Sequence, residues 1–91
     1  MTPVIMISGR DNVATALEAL AAGRDIEVNG LSVLVREPIP SGHKIAVRPI
    51  PAGELVIKYG SPIGTATAAI APGDHVHVHN VASTRGRGDL R

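Results

Sequence analysis

Residues 38–73, PIPSGHKIAVRPIPAGELVIKYGSPIGTATAAIAPG, form the stretch of sequence that determines the fold. Six of the seven prolines and five of the ten glycines of the chain lie within it. Proline interrupts helices and removes a backbone donor from a β-ladder, so this stretch can hold only short, edge-like strands that are joined by tight turns. We expect strands in it and just beyond it at residues 44–49, 54–59, 63–67 and 75–81.

An imperfect repeat of the form Ile-x-x-Gly marks the turns between these strands. It occurs at Ile39–Gly42, Ile50–Gly53 and Ile70–Gly73, and Leu20–Gly23 is a related copy within a helical pattern. The repeat combines an apolar anchor, a corner that is usually stiffened by proline, and a glycine that can adopt a positive φ. Its irregular spacing excludes a solenoid, whose repeats need a fixed period. The pattern therefore predicts one kind of tight turn that is used several times.

The segment before this stretch predicts a mainly β domain with one short helix and one hairpin. The helix spans residues 12–22, with Asp11 as its N-cap and Gly23 as its C′ residue. Its apolar stripe consists of Val13, Leu17 and Leu20. Asn29-Gly30 then favours the type I′ turn of a two-residue hairpin, because both residues readily adopt a positive φ. The two strands of the hairpin are expected at residues 25–28 and 31–36.

The composition of the 91-residue chain excludes several classes of function. It contains no cysteine, which excludes a disulfide scaffold, a thiol nucleophile and a cysteine-ligated metal site. A net charge of +1 and a single aromatic residue do not fit a nucleic-acid-binding protein. No apolar run is long enough to span a bilayer and no signal peptide is evident, so we expect a cytoplasmic protein.

The length of the chain allows one small domain, which we place at residues 1–82. Residues 83–91, STRGRGDLR, are polar and contain no apolar anchor before Leu90, so a flexible C-terminal tail is expected there. Its glycines do not form a phosphate-binding loop. Either a docking segment for a partner or plain disorder fits this tail.

His75-Val76-His77-Val78-His79-Asn80 is the most specific functional signal in the chain. If this segment is a strand, its three imidazoles project from one face, about 6.5–7 Å apart, and both valines face the other way. Neutral imidazole binds zinc, iron, nickel or copper, so His75, His77 and His79 are candidate metal ligands. One straight strand rarely directs three imidazoles to one point, so a further ligand is expected from elsewhere. The alternative is a surface strand whose solvated face consists of histidine.

Three further residues are candidates for contact with an acidic substrate. His43 follows the turn at Gly42 and could act as a general base or bind a carboxylate, and the adjacent Lys44 favours an anion. Lys58 lies on the strand face opposite to Tyr59 and could also contact an acidic group. For these residues the alternative is an exposed polar side chain, and for Tyr59 it is a place in the core.

Several motifs, in their order along the chain, resemble the SAF domain of the altronate/galactarate dehydratase family. They are DNVA at residues 11–14, IPxGHKxA at residues 39–46, GExVxKYGxxIG at residues 53–64, HVHVHN at residues 75–80 and RGxGD at residues 85–89. The resemblance covers nearly the whole chain, from residue 10 to residue 89. The free-standing small subunit of sulfolactate sulfo-lyase is similar as well.

The resemblance implies a β-clip fold, which is shared with type III antifreeze proteins, and a role in a metal-dependent lyase. The implied reaction is a β-elimination, in which water leaves a sugar acid such as altronate or galactarate, or sulfite leaves sulfolactate. A divalent metal, expected to be Fe²⁺, and a large catalytic subunit that completes the site are also implied, so that this chain is inactive alone. The implied roles are proton transfer for His43, substrate binding for Lys44 and Lys58, and metal binding for His75, His77 and His79.

Two other interpretations remain open at this stage. A non-catalytic metal- or carbohydrate-binding module would use the same histidine strand without a partner. An ice-binding protein would share the fold alone, and a strand with three histidines does not fit a flat, uncharged ice-binding face. The expected partners are therefore the large subunit and a hydroxy acid, with no nucleic acid and no membrane, and the isolated chain could form a homo-oligomer.

Overall fold

The computed structural model describes residues 3–83, and within this range the chain forms nine short strands and no helix. The strands are β1 (Val4–Ile5), β2 (Val13–Ala16), β3 (Asp25–Val28), β4 (Leu31–Leu34), β5 (Lys44–Ala46), β6 (Leu55–Lys58), β7 (Ser61–Ala66), β8 (His75–Val76) and β9 (Val81–Ser83). The mainly β fold that the sequence and the resemblance predict is therefore confirmed. In the described part of the chain there is accordingly no helix that could span a membrane.

The strands pair antiparallel in three sheets. The largest sheet has the order β1-β2-β5-β8, β3 pairs with β4, and the third sheet has the order β6-β7-β9. The two inner strands of the largest sheet contribute to both hydrophobic cores. Ala14 and Ile45 belong to the first core, whereas Val13 and Ala46 belong to the second. This sheet therefore joins the two cores, and β8 at its edge carries the first residue of the histidine motif.

The chain contains two similar halves. An isolated antiparallel bridge pairs Leu20 with Ile39 in the first half, and an equivalent bridge pairs Ile50 with Ile70 in the second. Between the two bridged residues each half contains a hairpin, β3–β4 or β6–β7. The four copies of the Ile-x-x-Gly pattern thus form two pairs, one in each half, rather than a series with a fixed period.

The glycine that ends each copy of the pattern adopts the positive φ that the sequence predicts. The φ angles are 91° at Gly23, 85° at Gly42, 88° at Gly53 and 94° at Gly73. Each of these glycines also donates its N–H to a carbonyl across the turn, on Val35, Ala16, Ala66 and Ala46 respectively. The prediction of one tight turn that is used several times is confirmed.

Both hairpins have two-residue turns with a positive φ at each position. The Asn29-Gly30 turn, with φ angles of 49° and 81°, is confirmed, although β4 ends at Leu34 rather than at residue 36. The second turn, Tyr59-Gly60, has φ angles of 53° and 80°. Sequence reasoning missed this second turn, because a bulky aromatic residue seldom adopts a positive φ.

The predicted helix over residues 12–22 is wrong, and its first part forms β2. This strand pairs with β1 on one side and with β5 on the other. Both of its faces are buried, since Val13 packs in one core and Ala14 in the other. A strand that is buried on both faces lacks the apolar–polar alternation by which strands are recognised, so its sequence was compatible with a helical stripe. Leu17, which was assigned to that stripe, is 57% exposed.

Several predicted boundaries also shift, and β7 begins at Ser61 rather than at residue 63. β5 ends at Ala46, three residues before the end that the sequence predicts. Ser83 was expected to begin the tail but is the last residue of β9. The remainder of the predicted tail, residues 84–91, lies outside the described residues.

Candidate functional site

The histidine motif does not form one straight strand. β8 ends at Val76, the chain turns over residues 77–80, and β9 begins at Val81. The two valines of the motif therefore do not share a face, because Val76 is buried whereas Val78 is 82% exposed. The prediction of a strand over residues 75–81, with three imidazoles on one side and both valines on the other, is wrong. The tight turn at residues 77–80 overrides the alternation of the sequence.

His75 and His77 lie against His43, which lies 32 residues before His75. The pairing of β5 with β8 sets their positions, since it aligns Lys44 with Val76 and thus places His43 beside the end of β8. The ring centroids of His43 and His77 are 4.2 Å apart and those of His43 and His75 are 5.0 Å apart. His43 Nδ1 lies 2.8 Å from His75 Nε2, which is hydrogen-bond distance.

His43, His75 and His77 form a cluster that could hold a metal ion, and we call it the histidine cluster. Each residue offers one ring nitrogen, and the three nitrogens lie within 4.8 Å of one another. His79 lies outside this group. Its ring is tilted by 40° to the ring of His75, at a centroid distance of 5.3 Å, and its side chain is exposed.

The surroundings of His75 and His77 favour neutral imidazoles. Burial lowers the pKa of His75, and the adjacent rings of His43, His79 and His77 lower it further, against an opposing effect of Glu37. Burial and the adjacent His43 ring likewise lower the pKa of His77. Both rings therefore stay uncharged to a lower pH than a free imidazole would, and the uncharged ring is the form that binds metal ions.

One ring nitrogen in the histidine cluster has no partner in the described part of the chain. His77 Nδ1 is buried and makes no hydrogen bond. Because buried polar atoms are nearly always hydrogen-bonded, such an atom is unusual and indicates a ligand or an ion. Three imidazoles with a further open position are also a common ligand set for catalytic divalent metals. The residues present therefore fit a divalent metal ion that would be held by His43, His75 and His77.

A small cavity of about 200 Å³ lies next to the histidine cluster. Its lining residues are Lys44, Ile63, His77, Val78, Val81 and Ser83. Lys44 is the first residue of β5, and burial together with the charge of Lys58 lowers the pKa of its ammonium group. The cavity thus combines one cation and one imidazole with an apolar wall, which suits a small organic anion.

Lys58 and Tyr59 lie at the β6–β7 turn. The Lys58 ammonium lies 5.0 Å from the centre of the Tyr59 ring, within the range of a cation–π contact. Tyr59 is 43% exposed and its hydroxyl donates to Thr15 Oγ1 at 3.3 Å, so it is not a core residue. After burial, the charge of Lys58 is the second cause that lowers the pKa of Lys44, so the two lysines that were predicted to bind substrate influence each other electrostatically.

Two residues near the histidine cluster were missed as functional residues by sequence reasoning. Glu37 Oε2 accepts the backbone N–H of His75 at 3.0 Å. The Asn80 side chain contacts the backbone of both His75 and His77. Asn80 is part of the histidine motif, so its position next to the candidate metal ligands could have identified it from the sequence. Glu37 lies 38 residues before its partner His75, so no local pattern indicated it.

Comparisons with known proteins show what the chain is similar to. The altronate/galactarate dehydratase SAF domain family matches residues 2–84. Altronate dehydratase of Escherichia coli (strain K12) is 50% identical over 76 residues, which cover 84% of this chain and 15% of that enzyme. Altronate dehydratase of Bacillus subtilis (strain 168) is 41% identical over 80 residues, which cover 16% of its length. The chain therefore spans only about one sixth of these relatives.

A shorter relative matches a larger share of its own length. The (2R)-sulfolactate sulfo-lyase subunit alpha of Paracoccus pantotrophus is 45% identical over 47 residues, which cover 52% of this chain and 70% of that subunit. The corresponding subunit of Chromohalobacter salexigens is 49% identical over 51 residues, which cover 54% of its length. Similar chains therefore occur both as part of a long enzyme and as a separate subunit.

Proposed function

The chain belongs to the SAF domain family of the altronate/galactarate dehydratases, and from this premise we propose that it is the small subunit of a metal-dependent lyase. The proposed reaction is a β-elimination on a hydroxy acid, either dehydration of a sugar acid such as altronate or galactarate or release of sulfite from sulfolactate. The observation that carries the proposal is the histidine cluster, in which three ring nitrogens lie within 4.8 Å of one another.

A β-elimination next to a carboxylate needs a base and a stabiliser of negative charge. A base removes the proton from the carbon next to the carboxylate, a carbon–carbon double bond forms, and the C–O or C–S bond to the leaving group breaks. A divalent metal ion, expected to be Fe²⁺, would act as a Lewis acid towards the developing oxyanion. His43, His75 and His77 are the residues that would hold it.

His43 is suited to two roles. As a ligand it would use Nδ1, the atom that lies 2.8 Å from His75 Nε2. If Nδ1 instead carries the proton and donates a hydrogen bond to His75, the Nε2 atom of His43 has the lone pair of a neutral imidazole and can accept a proton from the substrate. The proposed role of His43 is therefore proton transfer or metal binding, depending on which nitrogen faces the reacting carbon.

The two lysines would bind the negative charge of the acid. Lys44 lines the cavity beside His77, and Lys58 lies close enough to lower the pKa of Lys44. A bound carboxylate would relieve the repulsion between the two ammonium groups, so the pair favours an anion more than either lysine would alone. We infer that the substrate carboxylate lies between Lys44 and the histidine cluster.

A large subunit is proposed to complete this site. The cavity of about 200 Å³ is open to one side, and Val78 next to it is 82% exposed. Closing such a site excludes water and strengthens the electrostatic interactions within it, and the described residues leave this side of the cavity open. A partner surface over Val78 would provide that wall and the remaining groups.

The test of the proposal is to produce the chain together with a candidate large subunit and to measure turnover of altronate, galactarate and sulfolactate. We expect turnover only when both chains are present, and a loss of at least about 100-fold in kcat when His43, His75 and His77 are all changed to Gln. Each preparation needs a check by gel filtration that the complex still forms. Full activity of the large subunit alone, or of the complex with the triple variant, would refute the proposal.

A second candidate function is a metal-binding module without catalysis. It is favoured by the fact that all three nitrogens of the histidine cluster come from this one chain, so that metal binding needs no partner. Tight metal binding by the isolated chain, with no effect on the turnover of any large subunit, would support this alternative instead.

A further inference from the structure

The carboxamide of Asn80 bridges the two histidines of the turn. Its Oδ1 accepts the backbone N–H of His77 at 2.9 Å, and its Nδ2 donates to the backbone carbonyl of His75 at 2.9 Å. The backbone N–H of Asn80 also donates to the carbonyl of His77 at 3.1 Å. One residue thus determines the path of the chain from His75 to Asn80.

This path decides how the rings face one another. In an extended strand, residues i and i+2 are about 6.5–7 Å apart and their side chains run in parallel. Here the ring centroids of His75 and His77 are 5.5 Å apart, and the His77 ring stacks on His43 at 4.2 Å. The register of β5 with β8, continued by one residue, places His77 opposite His43, and the turn that Asn80 closes holds the backbone of His77 at that position.

A second side chain also binds the backbone of His75. Glu37 accepts its N–H at 3.0 Å, while Asn80 binds its carbonyl, so both backbone groups of His75 are bound to side chains. A carboxamide supplies both the donor and the acceptor that the two histidines need at this position, whereas a carboxylate only accepts and an ammonium only donates.

We propose that Asn80 is a positioning residue that holds His75 and His77 in the arrangement in which they bind a divalent cation together with His43. The inference rests on the proposed function only for the nature of the ligand. The placement of the rings by Asn80 is independent of it. Groups that orient metal ligands through hydrogen bonds commonly change metal affinity by about 10- to 100-fold when they are removed.

The chain offers a closely matched control. The Asn12 side chain also bridges two backbone groups, since its Oδ1 accepts the N–H of Ile57 at 2.8 Å and its Nδ2 donates to the carbonyl of Leu55 at 2.9 Å. Asn12→Ala therefore removes the same pair of hydrogen bonds as Asn80→Ala, but at β6 rather than at the histidine turn. A loss that is specific to Asn80 is then not a loss of stability alone.

The experiment measures Co²⁺ binding to the full chain by calorimetry and by its visible absorption, which reports on the geometry of the ligands. We expect Asn80→Ala to weaken Co²⁺ binding by at least about 10-fold and to change the absorption bands, and Asn12→Ala to bind as the unmodified chain does. Unchanged affinity and absorption in Asn80→Ala would overturn the proposal, and so would an equal loss in Asn12→Ala.

A measurement without metal separates this inference from the proposed function. NMR contacts between the ring protons of His43 and His77 should be present in the unmodified chain and absent in Asn80→Ala. If the unmodified chain binds no Co²⁺ but these contacts disappear in the variant, the positioning role stands and the metal proposal fails. If they persist in the variant, the positioning role fails.

Asn80→Asp covers the case in which Asn80→Ala does not fold. It keeps the acceptor for His77 and loses the donor to His75, so we expect the ring signals of His75 to shift while the contact between His43 and His77 remains. An unchanged His75 signal would contradict the proposal.

Discussion

Asp11 is the one fully buried charged side chain in the described part of the chain. Its Oδ1 accepts the N–H of Gly60 at 2.7 Å, and its Oδ2 accepts the N–H of Ser8 at 3.2 Å. Burial raises its pKa, but the hydrogen bonds from the backbone of Gly60, Ser8, Tyr59 and Ile7 lower it more, so the pKa lies below the ordinary value of 3.8. The hydrogen bonds of the carboxylate thus link the segment after β1 to the β6–β7 turn. The sequence predicted its chemistry, acceptance of backbone N–H groups, but assigned it to a helix N-cap.

The lowered pKa of Asp11 predicts a specific dependence of stability on pH. A carboxyl with a lower pKa in the folded state stabilises the fold above its unfolded pKa of about 3.8, and this contribution disappears as the pH falls through the folded pKa. The substitution Asp11→Asn leaves only one side-chain atom that can accept a hydrogen bond, so we expect a loss of about 1–3 kcal/mol in the free energy of unfolding at pH 7. Urea unfolding from pH 7 to pH 2 is the measurement. The difference between the two proteins should shrink below pH 4, and a constant difference would contradict the assignment.

At the scale of the elements, the turns determine more of this fold than the strands do. The described strands are two to six residues long, and each depends on the turn that precedes or follows it. Gly42 and Gly73 show how different two equivalent turns can be. Both adopt a positive φ, of 85° and 94°, but the space around Gly42 is open, whereas a Cβ at Gly73 would overlap the backbone carbonyl oxygen of Leu34.

This difference predicts unequal effects of the same substitution. Gly42→Ala carries only the cost of a positive φ, about 1–2 kcal/mol, because nothing lies near the added methyl group. Gly73→Ala carries that cost and also displaces the backbone at Leu34, so we expect a clearly larger loss. Chemical denaturation of the two variants under the same conditions measures both losses in the free energy of unfolding. Equal losses would mean that the turn at Gly73 can move away from β4 without cost.

The elements also show what the sequence could and could not predict. Turn chemistry is local, and so the Asn29-Gly30 hairpin and the positive φ of the glycines followed from residue type alone. β2 depends on burial of both faces between distant strands, which no local pattern records, and a helix was predicted there instead. The prediction for the histidine motif was wrong for a similar reason. Its alternation predicted a strand, but Asn80 closes a turn within it.

At the scale of the whole molecule, the site lies where the two halves of the chain meet. His43 follows the last Ile-x-x-Gly turn of the first half, and His75 and His77 follow the last such turn of the second half. The antiparallel pairing of β5 with β8 brings these two points together. Sequence reasoning identified each histidine as a candidate. It grouped His79 with His75 and His77 as metal ligands and gave His43 a separate role, because the spacing of residues along the sequence does not show a contact between residues that are 32 positions apart.

The proposed ligand set is shared between the two halves, so metal binding would be coupled to the stability of the whole fold. A metal ion that binds only the folded state at 100 times its Kd adds about 2.7 kcal/mol to the free energy of unfolding. In a domain of this size each kcal/mol raises Tm by about 4–8 °C, so a rise of about 10 °C or more is expected with excess Zn²⁺ or Co²⁺. His43→Gln and His75→Gln, one from each half, should each abolish most of this rise, whereas His79→Gln should retain it. Thermal unfolding with and without metal is the measurement. Loss of the rise in His79→Gln, together with its retention in His43→Gln, would mean that the ion is held by the turn alone and that the pairing of β5 with β8 does not build the site.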